Sequence, residues 1–184
     1  MVGLQRVFPL VLFLLFVLAG NLPGQTATAP LRAPDVIFVP TPSEVVSAML
    51  KLANVGPNDV VYDLGSGDGR IPIAAVEQFN AKSAVGIDIN PVRIKEANEN
   101  LAKSKAGNRV RFLNQDLFET PIGEASVVTL YLLQSLNEKL MPKLRKELKP
   151  GSRVVSQTFS MGPSWSPEQT IQVEGRSVYL WTIK

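Results

Sequence analysis

The chain has no cysteine and no histidine. That excludes disulfides, thiol nucleophiles, the usual zinc sites and every imidazole-based general acid or base. Any chemistry must come from carboxylates, hydroxyls, amines or positioning. Charge of one sign is also scarce: 19 Lys and Arg stand against 16 Asp and Glu, a formal net charge of +3. The basic residues are scattered over helical stretches near 95–105 and 139–149, as on solvated helix faces, so nucleic acid is not an expected partner. There is no internal repeat. A length of 184 residues with 45% hydrophobic content is enough for one domain with its own core.

No charge occurs between Arg6 and Arg32, and Val7 to Ala19 is apolar apart from Pro9. Thirteen residues is short for a spanning helix and closer to the apolar region of a signal peptide. The A-x-A site Ala27-Thr28-Ala29 is followed by Pro30, which would hinder cleavage. Two readings therefore stand: a cleaved signal, or a retained membrane anchor with the domain on the cytoplasmic side. Pro23, Pro30, Pro34, Pro40 and Pro42 mark an extended tether. The expected division is a signal or anchor plus tether over 1–34, and a folded domain over 35–184.

The most informative stretch is Asp63-Leu-Gly-Ser-Gly-Asp-Gly69, directly after the apolar run Val60-Val61-Tyr62. Gly65, Gly67 and Gly69 allow a strand to turn sharply into a helix and let a ligand approach the backbone. The third glycine comes one place earlier than in G-x-G-x-x-G, and Arg70 stands where that dinucleotide motif has glycine. A G-x-G-x-G loop preceded by an acid suits a ligand without a pyrophosphate. Asp63 can accept from an ammonium group while the glycine backbone packs on a ribose and a short amino-acid tail, the shape of S-adenosylmethionine. Asp88 ends a second apolar strand over 84–89, where an acid can take both ribose hydroxyls. Asp116 follows an alternating strand over 109–114 and can accept from an adenine amino group. Each of these acids, taken alone, reads equally well as a turn or cap residue. Together, in register with the glycine loop, they point to the ligand.

Thr41-Pro42-Ser43-Glu44 reads as a capping box with Pro at the first helical position, followed by Val45, Val46, Met49, Leu50 and Ala53 at helical spacing. A long strand is expected over 125–133, then a helical region over 136–149 broken or restarted at Pro142, a strand over 152–159, and a hairpin over 170–183 around Gly175. Strands alternating with helices and ending in a hairpin give a three-layer α/β fold, an open and mainly parallel sheet with one antiparallel strand. Its ligand would sit outside the carboxyl ends of the strands, where all three acids lie.

Over 35–184 the chain resembles the class I S-adenosylmethionine-dependent methyltransferases, which implies a Rossmann-like seven-stranded sheet of order 3-2-1-4-5-7-6. Val39-Pro40-Thr41-Pro42, Tyr131-Leu132-Leu133, Asn137 to Leu144, Leu148-Lys149-Pro150-Gly151 and Val178-Tyr179-Leu180-Trp181 resemble, more narrowly, small bacterial relatives of the ATP synthase c-subunit lysine methyltransferase family. The resemblance implies that Asp63, Gly65, Ser66, Gly67 and Gly69 hold the methionine part of the cofactor, Asp88 the ribose, and Asp116 with Leu117 the adenine. It also implies that Thr41 closes over the cofactor and that Tyr131 faces the incoming nucleophile. Tyr131 reads equally well as a half-buried strand aromatic.

The expected function is methyl transfer from S-adenosylmethionine to an amine, foremost a protein lysine. The alternatives are a small-molecule methyltransferase and a cofactor-binding domain without catalysis. Partners are then a protein or small-molecule acceptor, with membrane association through residues 7–19. Trp165, in the loop 160–168, reads as a cover for the core or as a substrate contact.

Overall fold

This computed structural model describes residues 31–184, which form one compact unit. The expected signal or anchor over Val7 to Ala19 lies outside the described residues. Among the described residues no helix is long and apolar enough to cross a membrane.

Helix α1 (Ser43–Leu52) precedes β1 (Val60–Leu64), and the chain then alternates through α2 (Arg70–Glu77), β2 (Ser83–Asp88), α3 (Pro91–Ala102) and β3 (Val110–Asn114). A connection without helix leads to β4 (Val127–Leu130), followed by α4 (Gln134–Glu147), β5 (Arg153–Gln157), β6 (Gln169–Val173) and β7 (Arg176–Thr182). The seven strands form one sheet of order β3-β2-β1-β4-β5-β7-β6. Strand β7 runs antiparallel to both its neighbours, and the pairs from β3 across to β5 are parallel. This is the expected fold.

The central strands are apolar on both faces because both faces are covered. All four residues of β4 are buried, whereas edge strand β6 is exposed or half-buried throughout. On one face Val61, Val127 and Val155 pack with Val45, Val46, Met49 and Leu50 of α1 and Ile71 and Ala75 of α2. On the other, Leu64, Leu130 and the fully buried Trp181 pack with Leu140 and Leu144 of α4. The order of connection reverses at β1, which lies between β2 and β4. The crevice beyond the carboxyl ends of these three strands is where such a sheet holds a ligand.

Three expectations change. Helix α1 begins at Ser43 with Pro42 in the capping place, and no side chain caps it. Proline has no side-chain acceptor, and the Glu44 carboxylate accepts from the adjacent Ser43 hydroxyl, so the capping box does not form; the Thr41 carbonyl accepts from Arg70 (2.8 Å). Strand β4 stops at Leu130, because Tyr131–Leu133 leave the sheet to lead into α4. Helix α4 runs unbroken through Pro142: Leu140 and Leu144 are both fully buried and hold the turns on either side of the missing hydrogen bond. Trp165 lies against Trp181 (ring centroids 5.9 Å), whose indole N–H donates to the Trp165 carbonyl at 2.8 Å, so it covers the core.

Candidate cofactor and acceptor site

The glycine loop leaves β1 by folding back onto the end of β2. The N–H groups of Gly65 and Ser66 both donate to the Ile87 carbonyl (2.8 and 2.9 Å), and that of Gly67 donates to the Asp88 carboxylate (2.8 Å). Gly67 has φ +52°, in the left-handed region, and any Cβ there would run into the Phe38 ring. At Gly69 a Cβ would meet Phe112 of β3, so this glycine permits the loop, α3 and β3 to close up.

Asp63, near the end of β1, is sealed under this loop. The Thr129 hydroxyl donates to it at 2.7 Å. Burial pushes its carboxyl up to about 7; Thr129 opposes that rise, and the charges of Asp88 and Asp68 add to it. Asp88 ends β2 and accepts one backbone N–H on each oxygen, from Gly67 and from Asn90 (both 2.8 Å). A carboxylate has about four lone-pair positions, so both oxygens retain capacity for a pair of hydroxyls. Asp116 follows β3 and takes a two-pronged grip from Arg32, with Nε at 2.6 Å and Nη2 at 3.2 Å, and also accepts from the Phe118 N–H. Burial raises its pKa, but Arg32 and Phe118 outweigh this and leave it below the ordinary carboxylate value.

A cleft brings these groups together. Its walls include Thr41, Asp63, Gly65, Ser66, Asp88, Asp116, Leu117 and Tyr131. Gly67 and Gly69 are not among the lining residues and act through the shape of the loop. Sequence reasoning missed the roof, which is the irregular segment Pro34–Val39 with Arg32 at its base. Arg32 bridges Asp116 and Asp35, Phe38 covers Gly67, and Arg93 of α3 stacks over Phe38 (4.7 Å). No periodicity could mark such a segment. The lone charge Arg32 after a long uncharged stretch was the available signal.

The cleft fits S-adenosylmethionine on the structure's own terms. Ser66 Oγ is buried with no hydrogen-bond partner among the described residues, and the loop backbone can be approached only because Cβ atoms are absent. A buried acid waits at the floor, and two more stand at the ends of neighbouring strands.

The comparisons with known proteins agree. A profile of the ANTKMT methyltransferase domain matches residues 63–169, more than half of the chain. The chain belongs to this methyltransferase family. It is 49% identical over 154 residues to a protein-lysine N-methyltransferase of Saccharolobus islandicus (strain REY15A), covering 82% of this chain and 95% of that one. It is 34% identical over 138 residues to the adenine nucleotide translocase lysine N-methyltransferase of Mus musculus, covering 75% of this chain but 58% of that one. The chain thus spans little more than half of the mouse relative. Among solved structures it is similar to an RNA methyltransferase from Salinibacter ruber in complex with S-adenosyl-L-homocysteine, with TM-score 0.76, 52% identity, and coverage of 79% of this chain and 94% of that one. The protein is an S-adenosylmethionine-dependent methyltransferase.

Proposed function

We propose that the protein methylates the ε-amine of lysine in a protein acceptor. The observation that carries this reading is the apolar segment Ile37–Val39 at the cleft, together with the cleft's arginines, which are already engaged. Ile37, Phe38 and Val39 line it and are exposed. Arg32 is held by Asp35 and Asp116, Arg70 by Asp68, and Arg93 by Glu96 and the face of Phe38. Such a rim suits the aliphatic stem of a lysine. A nucleic acid would need cations free to meet its phosphates. The lysine-specific names of the relatives support the same reading.

When bound, S-adenosylmethionine supplies an electrophilic methyl group on a sulfonium. In this reading Asp63 holds the cofactor's ammonium, Asp88 its ribose hydroxyls, and Asp116 with Leu117 its adenine, while Thr41 closes the roof side. Tyr131 lines the cleft at the end of β4 and orients the acceptor. The half-apolar surroundings favour the neutral amine over the ammonium, so the proton leaves to solvent before attack without a dedicated base. Positioning and exclusion of water then supply the acceleration.

The apolar composition of residues 7–19 supports a further part of the reading: this segment attaches the domain to a membrane, on the side where S-adenosylmethionine is made. Export after cleavage is the competing arrangement.

The test is transfer of radiolabelled methyl groups by the full chain to histones and, in parallel, to total tRNA. Label in histone lysines, abolished in Asp88→Ala, is expected. Label in tRNA alone would replace this reading with the RNA activity named for the Salinibacter relative.

A further inference from the structure

The end of β5 carries two features that the cofactor does not explain. Phe159 N–H donates to the Gln157 carbonyl at 2.7 Å, and Thr158 between them has φ +67°. This is a γ-turn of the rare positive-φ kind with a β-branched residue at its apex, a strained arrangement that persists only where its surroundings impose it. The surroundings do so here. Thr158 N–H donates to the Ser177 carbonyl (2.7 Å), and the Phe159 carbonyl accepts from Ser156 Oγ (2.7 Å) and from Asn137 of α4 (3.1 Å). The result is that the Phe159 ring stacks on Tyr131, with centroids 6.5 Å apart and planes 23° apart.

The second feature is Gln157 itself. Its side chain is fully buried, and neither Nε2 nor Oε1 has a hydrogen-bond partner among the described residues. An amide sealed in this way costs stability, and native proteins rarely keep one without a use for it. Leu130 pairs with Ser156, and Tyr131 and Gln157 are the next residues on the two chains. Alternation along β5 sends its side chain to the face of Val155, the same face on which Thr129 meets Asp63.

We propose that the turn Gln157–Phe159 is the acceptor side of the site. Phe159 and Tyr131 flank the aliphatic stem of the lysine. The Gln157 amide oxygen accepts a hydrogen from the ε-amine, which fixes the direction of the nitrogen lone pair. Tyr131, which lines the cleft, stacks on Phe159 and so ties this turn to the cleft wall. The inference rests on the lysine reading above.

The test compares the full-length protein with Gln157→Met, a replacement of similar volume. S-adenosylhomocysteine affinity should be unchanged, and the thermal midpoint should rise by about 2–4 °C as the orphaned amide is replaced by an apolar chain. The kcat/KM for histone lysines should fall about tenfold, the size of one lost hydrogen bond to an amine. On the same histones after reductive dimethylation the variant should match the wild type, because a neutral tertiary amine has no N–H to donate. A purely structural role could not separate the two acceptors, so an equal loss on both, or no loss on either, overturns the proposal. If Gln157→Met does not fold, Phe159→Leu serves: KM for histones should rise several-fold with kcat kept, and an unchanged KM overturns it. A wild-type protein inactive on histone lysines refutes the lysine reading instead, and this inference with it.

Discussion

Burial lifts the Asp63 carboxyl to about 7, well above the value it has in an unfolded chain. Between about pH 4 and pH 7 the folded protein therefore retains a proton that the unfolded state has released, so stability falls as pH rises through that window. A cofactor ammonium reverses the balance by favouring the ionised form. S-adenosylhomocysteine affinity should accordingly tighten from pH 5.5 to about pH 7 and then level off. Asp63→Asn should flatten that profile and weaken binding by about 1.5–3 kcal/mol at pH 8. Titration calorimetry across the range checks both, and a flat wild-type profile would remove Asp63 from the ammonium. At this scale the gathering of the three acids at one cleft was legible, because a strand end followed by a carboxylate is a local pattern. Arg32 was not legible as a site residue, since its partner Asp116 is 84 positions away and only the folded chain brings them together.

At the scale of elements, the sequence located every strand but misjudged how several of them end. Apolar content continues from β4 through Leu133 although the ladder stops at Leu130: Leu132 is buried without a strand partner and Leu133 is exposed, so hydrophobicity alone does not mark where pairing ends. Thr41-Pro42-Ser43-Glu44 has the residues of a capping box, yet the helix begins one place later, with Pro42 in the capping position and Glu44 bonded to Ser43, and the cap goes unmade. Pro142 is the sharpest case: local chemistry demands a break, and packing of Leu140 and Leu144 overrides it. Pro142→Ala should restore a hydrogen bond to the Glu138 carbonyl and improve helix propensity, partly offset by a more flexible unfolded chain. The net gain is about 2 kcal/mol by denaturant unfolding. An unchanged or lower midpoint would mean that the neighbours of α4 are fitted to the proline.

For the molecule as a whole, a mainly parallel sheet with one antiparallel strand was readable once helices and strands alternated and a hairpin closed the chain, while the order of its strands came from the family resemblance. The two residues Glu174 and Gly175, both at positive φ (48° and 73°), form that hairpin's turn. The roof of the cleft escaped detection because it has no periodicity at all and acquires its place only from contacts with the glycine loop, α3 and Asp116. Its composition has a practical consequence. Ile37 is 86% exposed, and Phe38, a residue chymotrypsin cuts after, lies in irregular backbone. Among the described residues, limited digestion of ligand-free protein should nick the chain there first. Saturating S-adenosylhomocysteine should slow that cut at least tenfold, since cleavage follows the open fraction and ligand depletes it. An unaffected rate would mean that the roof opens independently of the ligand. The segment then serves as a built-in gauge: the fraction of intact chain on a gel counts the molecules that are loaded.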